Sequence, residues 1–119
     1  MEFITDHRTE RYILDTKWKD LSEKAKIHIQ MCGVDLMTAL ILGSYGNQFK
    51  AGQKLAQSMG LSGSIPVIGS DTRYNLLGAS IVMGHSSNSF DIDDGYRMIC
   101  GHPGTSFVAG TLATAWDRD

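Results

Sequence analysis

One stretch of the chain admits neither a helix nor a strand, and it sets the plan for the rest. Residues 88–104 read N-S-F-D-I-D-D-G-Y-R-M-I-C-G-H-P-G. Three carboxylates, Asp91, Asp93 and Asp94, fall within four residues, and Gly95, Tyr96 and Arg97 follow before Gly-His-Pro-Gly at 101–104. A strand does not carry D-x-D-D. A helix interior does not hold Gly95, Gly101, Pro103 and Gly104, since each glycine costs about 1 kcal/mol there and proline about 3. The stretch is therefore a loop between two helices. It brings acid, imidazole and bendable backbone together. Asp91 with His102 is the chain's best acid/base pair, because carboxylate and imidazole are the usual proton carriers near neutral pH. The same composition also serves structural ends: Asp and Gly make turns and helix caps, and His-Pro-Gly can open a helix.

At 119 residues the chain is long enough for one cored domain and too short for two. Its residues are 42% hydrophobic and 20% charged, the balance of an ordinary soluble globular protein, with a net charge of −2. That charge recommends neither nucleic acid nor an anionic membrane as a partner, and Arg8, Arg11, Lys17 and Lys19 alternate with acids rather than forming a patch. The two cysteines, Cys32 and Cys100, form no C-x-x-C, so they make no zinc ribbon and fall short of an iron–sulfur ligand set. Cys32, in an apolar run, reads as a small buried hydrophobe. The opening M-E-F-I-T-D-H-R lacks the plan of an export signal, which leads to the expectation of a cytoplasmic protein. The apolar run at 31–42 contains Asp35 and is too short to span a bilayer.

Residues 1–19 carry Phe3, Ile4, Tyr12, Ile13, Leu14 and Trp18 with no single period, and read as an arm or a short helix. The domain proper is expected over 20–119. Asp20-Leu21-Ser22-Glu23 opens a helix that runs to about residue 42, with Asp20 as its cap. Its apolar positions widen until most faces are apolar, which places it at the domain centre. Asp35 within it then needs a partner, because burying a lone charge costs several kcal/mol. It is either a cap for a neighbouring loop or a catalytic acid. A second helix is expected over 47–59, with Phe49, Leu55, Ala56 and Met59 on one side and Gly60 as its stop. A short extended segment follows near 64–69, confined to a sheet edge by Pro66. Residues 71–75 lead into a third helix at 75–89, rich in small residues that admit a close neighbour. It carries His85, either a hydrogen-bonded structural residue or part of the site. A fourth helix over 105–116 packs through Phe107, Val108, Leu112 and Trp116. The fold class is all-α: about four main helices with a trace of extended chain.

These residues, from about 23 to 116, resemble the 2-methylcitrate dehydratase family (MmgE/PrpD), whose relatives include cis-aconitate decarboxylase and iminodisuccinate epimerase. The resemblance lies in the apolar helix with Asp35 ending at Gly43-Ser44, the V-I-G-S turn at 67–70, the small-residue helix, and above all F-D-I-D-D-G-Y-R-M-I-C-G-H-P-G. It implies a largely helical N-terminal domain of a larger protein. It also implies lyase or isomerase chemistry on small di- and tricarboxylic acids, with no metal or organic cofactor. On the matching positions, Asp91 and His102 are the expected catalytic residues, and Asp94, Arg97 and His85 the expected substrate-binding ones. By the resemblance, decarboxylase-like and dehydratase-like members carry Thr after the acidic run, where this chain has Gly95. The resemblance further implies that a lysine and another histidine come from sequence beyond residue 119.

Two readings of function follow. In the first, the chain is the helical part of such a lyase, completed by a homo-oligomer or a larger partner chain. In the second, it is a non-catalytic relative that keeps the helical fold and binds partners through the Met-rich helix at 21–42 or the small-residue helix at 75–89. A metal site at Asp91, Asp93, Asp94 and His102 is a third possibility, although D-I-D-D lacks the alternating ligand spacing of a calcium loop.

Overall fold

The computed structural model describes residues 7–118. The described residues form five α-helices and one hairpin, in the order α1 (His7–Asp15), α2 (Glu23–Gly43), α3 (Asn47–Ser58), β1 (Ser62–Val67), β2 (Ser70–Tyr74), α4 (Leu76–Ser87) and α5 (Pro103–Arg118). The all-α expectation is right in outline, and the two-stranded antiparallel sheet is the addition. Contacts divide the chain into two compact units, Met1–Met31 and Cys32–Asp119.

In the first unit the N-terminal segment is a short helix, α1, which buries none of its residues. Tyr12, Ile13, Leu14 and Trp18 are exposed; Phe3 and Ile4 lie outside the described residues. Helix α2 starts at Glu23, and its cap is Ser22, whose Oγ accepts the Ala25 amide at 3.2 Å. Asp20, the expected cap, belongs to a 3-10 turn one step earlier, where it accepts the Lys17 amide at 3.0 Å.

The second unit is built around α4. Gly78, Ala79, Val82, Met83, Ser86 and Ser87 are all buried, and α3, α5 and the hairpin pack against this helix. Asn75 caps it, its Oδ1 accepting the Gly78 amide at 2.9 Å. From α3 come Phe49, Gly52 and Ala56, spaced three and four residues apart so that they share one face. Leu55 and Met59, expected on that face, are exposed. From α5 come the buried Ala109 and Ala113, flanked by Val108, Leu112 and Trp116, whereas Phe107 is exposed. Large residues on one element meet small ones on the next.

The hairpin was half visible in the sequence. Val67 pairs with Ser70 across a two-residue turn, and Gly69 in that turn has φ +85°, a conformation that side chains rarely adopt. Once the turn closes, residues 70–74 pair with β1, so the expected lead-in to the third helix is a strand instead. Ile65, Val67 and Tyr74 point into the core.

Helix α2 departs most from expectation. It is not surrounded: among its residues only Ala39, Leu40 and Gly43, in the last turn and a half, are buried. Ile29, Met31, Val34, Ile41 and Leu42 are exposed, as is Cys32, which was expected inside. Asp35 is exposed too, so it escapes the desolvation cost that would have demanded a partner. The helix is also longer than the apolar run at its centre. At 21 residues and a mean hydropathy of 1.3 it is long and apolar enough, by length and composition alone, to cross a membrane. Asp35 near its middle is a charge that would cost about 3 kcal/mol there.

The end of α2 is fixed to α4 by close backbone approach. Ser86 Oγ donates to the Leu40 carbonyl at 2.7 Å, fully buried. A Cβ at Gly43 would run into the Ser86 carbonyl, and one at Gly46 into the Ser89 hydroxyl. Gly43→Ala is therefore expected to destabilise the fold by about 1–3 kcal/mol, the usual cost of overpacking. Gly110→Ala, in a helix with open space around its Cα, should be neutral or stabilise by up to about 1 kcal/mol. Denaturant unfolding of the two variants checks the contrast.

Candidate active site

The loop between α4 and α5 folds back on itself. Tyr96 and Gly101 form an isolated antiparallel bridge, with the Tyr96 amide donating to the Gly101 carbonyl at 2.9 Å. Between them runs a 3-10 turn, Arg97–Ile99, ending at Cys100 with φ +49°. This closure returns His102 to the acidic run it left behind. Pro103 then opens α5, where a missing amide costs nothing and the fixed φ suits the first turn.

His102 sits between two carboxylates in opposite environments. Its Nε2 lies 3.3 Å from Asp91 Oδ1, and Asp91 has a side chain that is 84% exposed. Its Nδ1 lies 3.1 Å from Asp93 Oδ2, and Asp93 has a side chain with no exposed surface. The second contact has the separation of an ion pair without the alignment of a hydrogen bond, since His102 Nδ1 and Asp93 Oδ1 are both buried and lack a hydrogen-bond partner. Asp93 Oδ2 is well supplied: the Thr105 hydroxyl donates to it in a short contact, and Asn88 Nδ2 donates at 3.3 Å. Burial alone would raise this carboxyl's pKa. The hydrogen bonds from Thr105, its own backbone amide and Asn88, together with the His102 charge, outweigh burial and hold it below the ordinary carboxylate value.

The expected acid/base residues, Asp91 and His102, thus come together. The other expected residues lie around them in different settings. Asp94 accepts the Gly104 amide on both oxygens, at 3.0 and 2.9 Å, and so caps the start of α5. Gly104 is required for this approach: a Cβ there would come within 2.6 Å of both Asp94 Oδ1 and a Leu36 methyl carbon. Arg97 is exposed on the 3-10 turn. His85 lies on α4 against Gly52 and lines a separate hollow of about 310 Å³ with Gln48, Gly84 and Asn88. Asn88 links the two places, since its side chain lines the hollow and donates to Asp93.

As site residues, Asp93 entered the sequence reading only as a candidate metal ligand, and Thr105 not at all. The signal for Asp93 was its place in the D-I-D-D run that leads back to His102. Thr105 follows His-Pro-Gly, so it falls in the first turn of a helix whose start Pro103 marks. Neither signal says which carboxylate is buried.

Because the folded pKa of Asp93 is depressed, its contribution to stability is fully present above the ordinary carboxylate value of about 3.9. It is lost as pH falls through the lower folded value. The melting temperature should therefore drop as pH is lowered below about 4. Thr105→Val, which removes a hydrogen bond to a buried charge, should cost about 2 kcal/mol at neutral pH and flatten that acid limb. Thermal melts of both proteins from pH 7 to pH 2 test this.

The sequence and the geometry agree with the outcome of comparison with known proteins. No curated protein and no solved structure matches the chain significantly. The MmgE/PrpD N-terminal domain matches residues 7–119, a span that takes in every helix, the hairpin and the acidic loop. The chain belongs to the MmgE/PrpD family and represents its N-terminal domain.

Proposed function

We propose that this chain supplies the imidazole–carboxylate part of a lyase or isomerase site acting on a small di- or tricarboxylic acid. The observation that supports the reading is the placement of His102 between a buried, hydrogen-bonded Asp93 and an exposed Asp91. Asp93 holds the ring from the protein side. Asp91 faces solvent, where a substrate arrives. With a carboxylate at each ring nitrogen, a proton must lie between His102 Nε2 and Asp91 for that contact to be favourable. Such a proton is placed to be given up or taken back, which is the task of a general acid/base.

Loss of water, loss of carbon dioxide and epimerisation next to a carboxylate share this need for a placed base and a placed acid. A substrate with two or three carboxylates also needs cations. Arg97, exposed on the same loop, is the one we assign to it. Arg73 is already engaged, its guanidinium donating to the Ser64 carbonyl at 2.9 Å. Asp94 is a positioning residue, through its hold on α5, and His85 belongs to the neighbouring hollow. Further cations would come from another chain or another copy in the cytoplasm, covering the apolar side of α2.

The test is turnover of the assembled protein on a panel of small di- and tricarboxylic acids. His102→Gln and Asp91→Asn are each expected to lower kcat at least a hundredfold, the usual reach of a general acid or base. Arg97→Gln should act mainly on KM. Full activity in His102→Gln would end the proposal.

A further inference from the structure

We propose that the hollow between α3 and α4 is a binding site of its own, one that takes a carboxylate group of a small organic acid. About 310 Å³ of space lies there, lined by Gln48 from the first turn of α3 and by Gly84, His85 and Asn88 at the end of α4. That is the lower end of the volumes of small-molecule pockets, roughly 300 Å³. The chain's own hydrogen bonds do not account for these side chains. Among the described residues, neither the His85 ring nor the Gln48 amide has a hydrogen-bond or ion-pair partner. The ring is nevertheless held in place. It lies on the buried Gly52 of α3, where a Cβ would come within 2.9 Å of His85 Cβ and 3.1 Å of its Cγ. Any side chain at 52 would push the imidazole away. Asn88 is oriented too: its Nδ2 donates to Asp93 Oδ2 at 3.3 Å, which commits one amide hydrogen and leaves the other.

The lining sets the ligand's charge. No Asp or Glu lines the hollow, and each of its three polar side chains can donate a hydrogen bond. Gln48 is also the second residue of α3, a helix of twelve residues whose N-cap, Gly46, supplies no side-chain acceptor. The Ser89 hydroxyl lies against Gly46 but is buried without a hydrogen-bond partner, so it does not cap the helix either. An uncapped helix start favours negative charge, which adds to what the side chains offer. A carboxylate accepts from several donors at once and suits all of this. A phosphate would call for Arg or Lys, and neither lines the hollow. Asp93, behind Asn88, has no exposed side-chain surface and is offset by His102.

The hollow stands apart from the acid/base reading, since binding there can be measured without turnover. The two places are nevertheless linked. Asn88 and His102 share one oxygen of Asp93, so a ligand that engages Asn88 is felt at His102 through a single intervening carboxylate.

NMR titration of the 119-residue chain with propionate, at constant ionic strength, provides the test. The ring signals of His85 are expected to shift to saturation, with those of His102 following at the same midpoint. Propionamide, the neutral counterpart, should leave both unmoved. Gln48→Leu should weaken binding by about tenfold or more, the usual effect of losing a hydrogen bond to a charged group. His85→Phe, which keeps a ring against Gly52, should do the same when binding is read on the Asn88 side-chain amide. Arg97→Gln should bind as the parent does. Gln48 is exposed, so its variant keeps the fold, which circular dichroism checks. No shift at His85, an equal response to propionamide, or unchanged affinity in Gln48→Leu each overturns the site. A shift at His85 that leaves His102 unmoved overturns the link through Asn88. A shift confined to His102 and lost in Arg97→Gln overturns the hollow and leaves the acid/base reading standing.

Discussion

The burial of one carboxylate, Asp93, organises the loop and everything that the loop presents. A charge taken out of water costs several kcal/mol unless donors meet it, so the surrounding chain must deliver them. Asn88 delivers one from the end of α4, Thr105 another from the first turn of α5, and His102 a positive edge between them. Each donor comes from a different part of the loop's frame. Satisfying Asp93 therefore fixes where α4 ends, where α5 begins and which way the imidazole turns. The Asp94 cap on Gly104 adds a second tie between the same acidic run and α5.

The asymmetry between Asp91 and Asp93 is what makes the pair chemically useful. Two carboxylates two residues apart, in equal surroundings, would compete for the same proton. Here one is sealed into the protein and hydrogen-bonded, and the other stands in solvent with φ +55°. Asp is among the residues that tolerate that left-handed backbone, and the turn it makes separates the two side chains. In the proposed acid/base reading, different environments would give different tasks, the buried acid orienting and the exposed one exchanging. Gly95 has open space around it. The loop's hydroxyl contact comes from Thr105, which donates to the buried carboxylate.

Local chemistry made much of this legible. Caps and stops placed α3, α4 and α5 to within two or three residues, because Gly60 and Pro103 act through their own backbone and Asn75 through a side chain that reaches only three residues on. That Asp91 and His102 lie side by side was legible for a similar reason, because both sit on a loop that had to turn back. What escaped depends on distant packing. The second strand has no alternating apolar pattern, and it forms only because the turn at Gly69 brings it beside β1. Asp93 looked equivalent to its neighbours until the fold buried it.

Helix α2 shows the limit most sharply. A helix that is apolar on most faces is usually surrounded, and composition argued that this one lies at the centre. Yet it buries only Ala39, Leu40 and Gly43, with Leu36 reaching Gly104, while α4, which carries no Asp, Glu, Lys or Arg, holds the middle. The difference lies in residue size. Gly78, Ala79, Ser86 and Ser87 let α4 be approached from three sides, whereas the Ile, Met and Leu side chains of α2 keep neighbouring backbones away except where Gly43 interrupts them. Close approach, together with the absence of charged residues, makes α4 the core helix. The bulky helix is left with an apolar exterior, and such contiguous surface is a mark of association. Asp35, exposed midway along it, suits a neighbour that offers a polar group there better than it suits lipid.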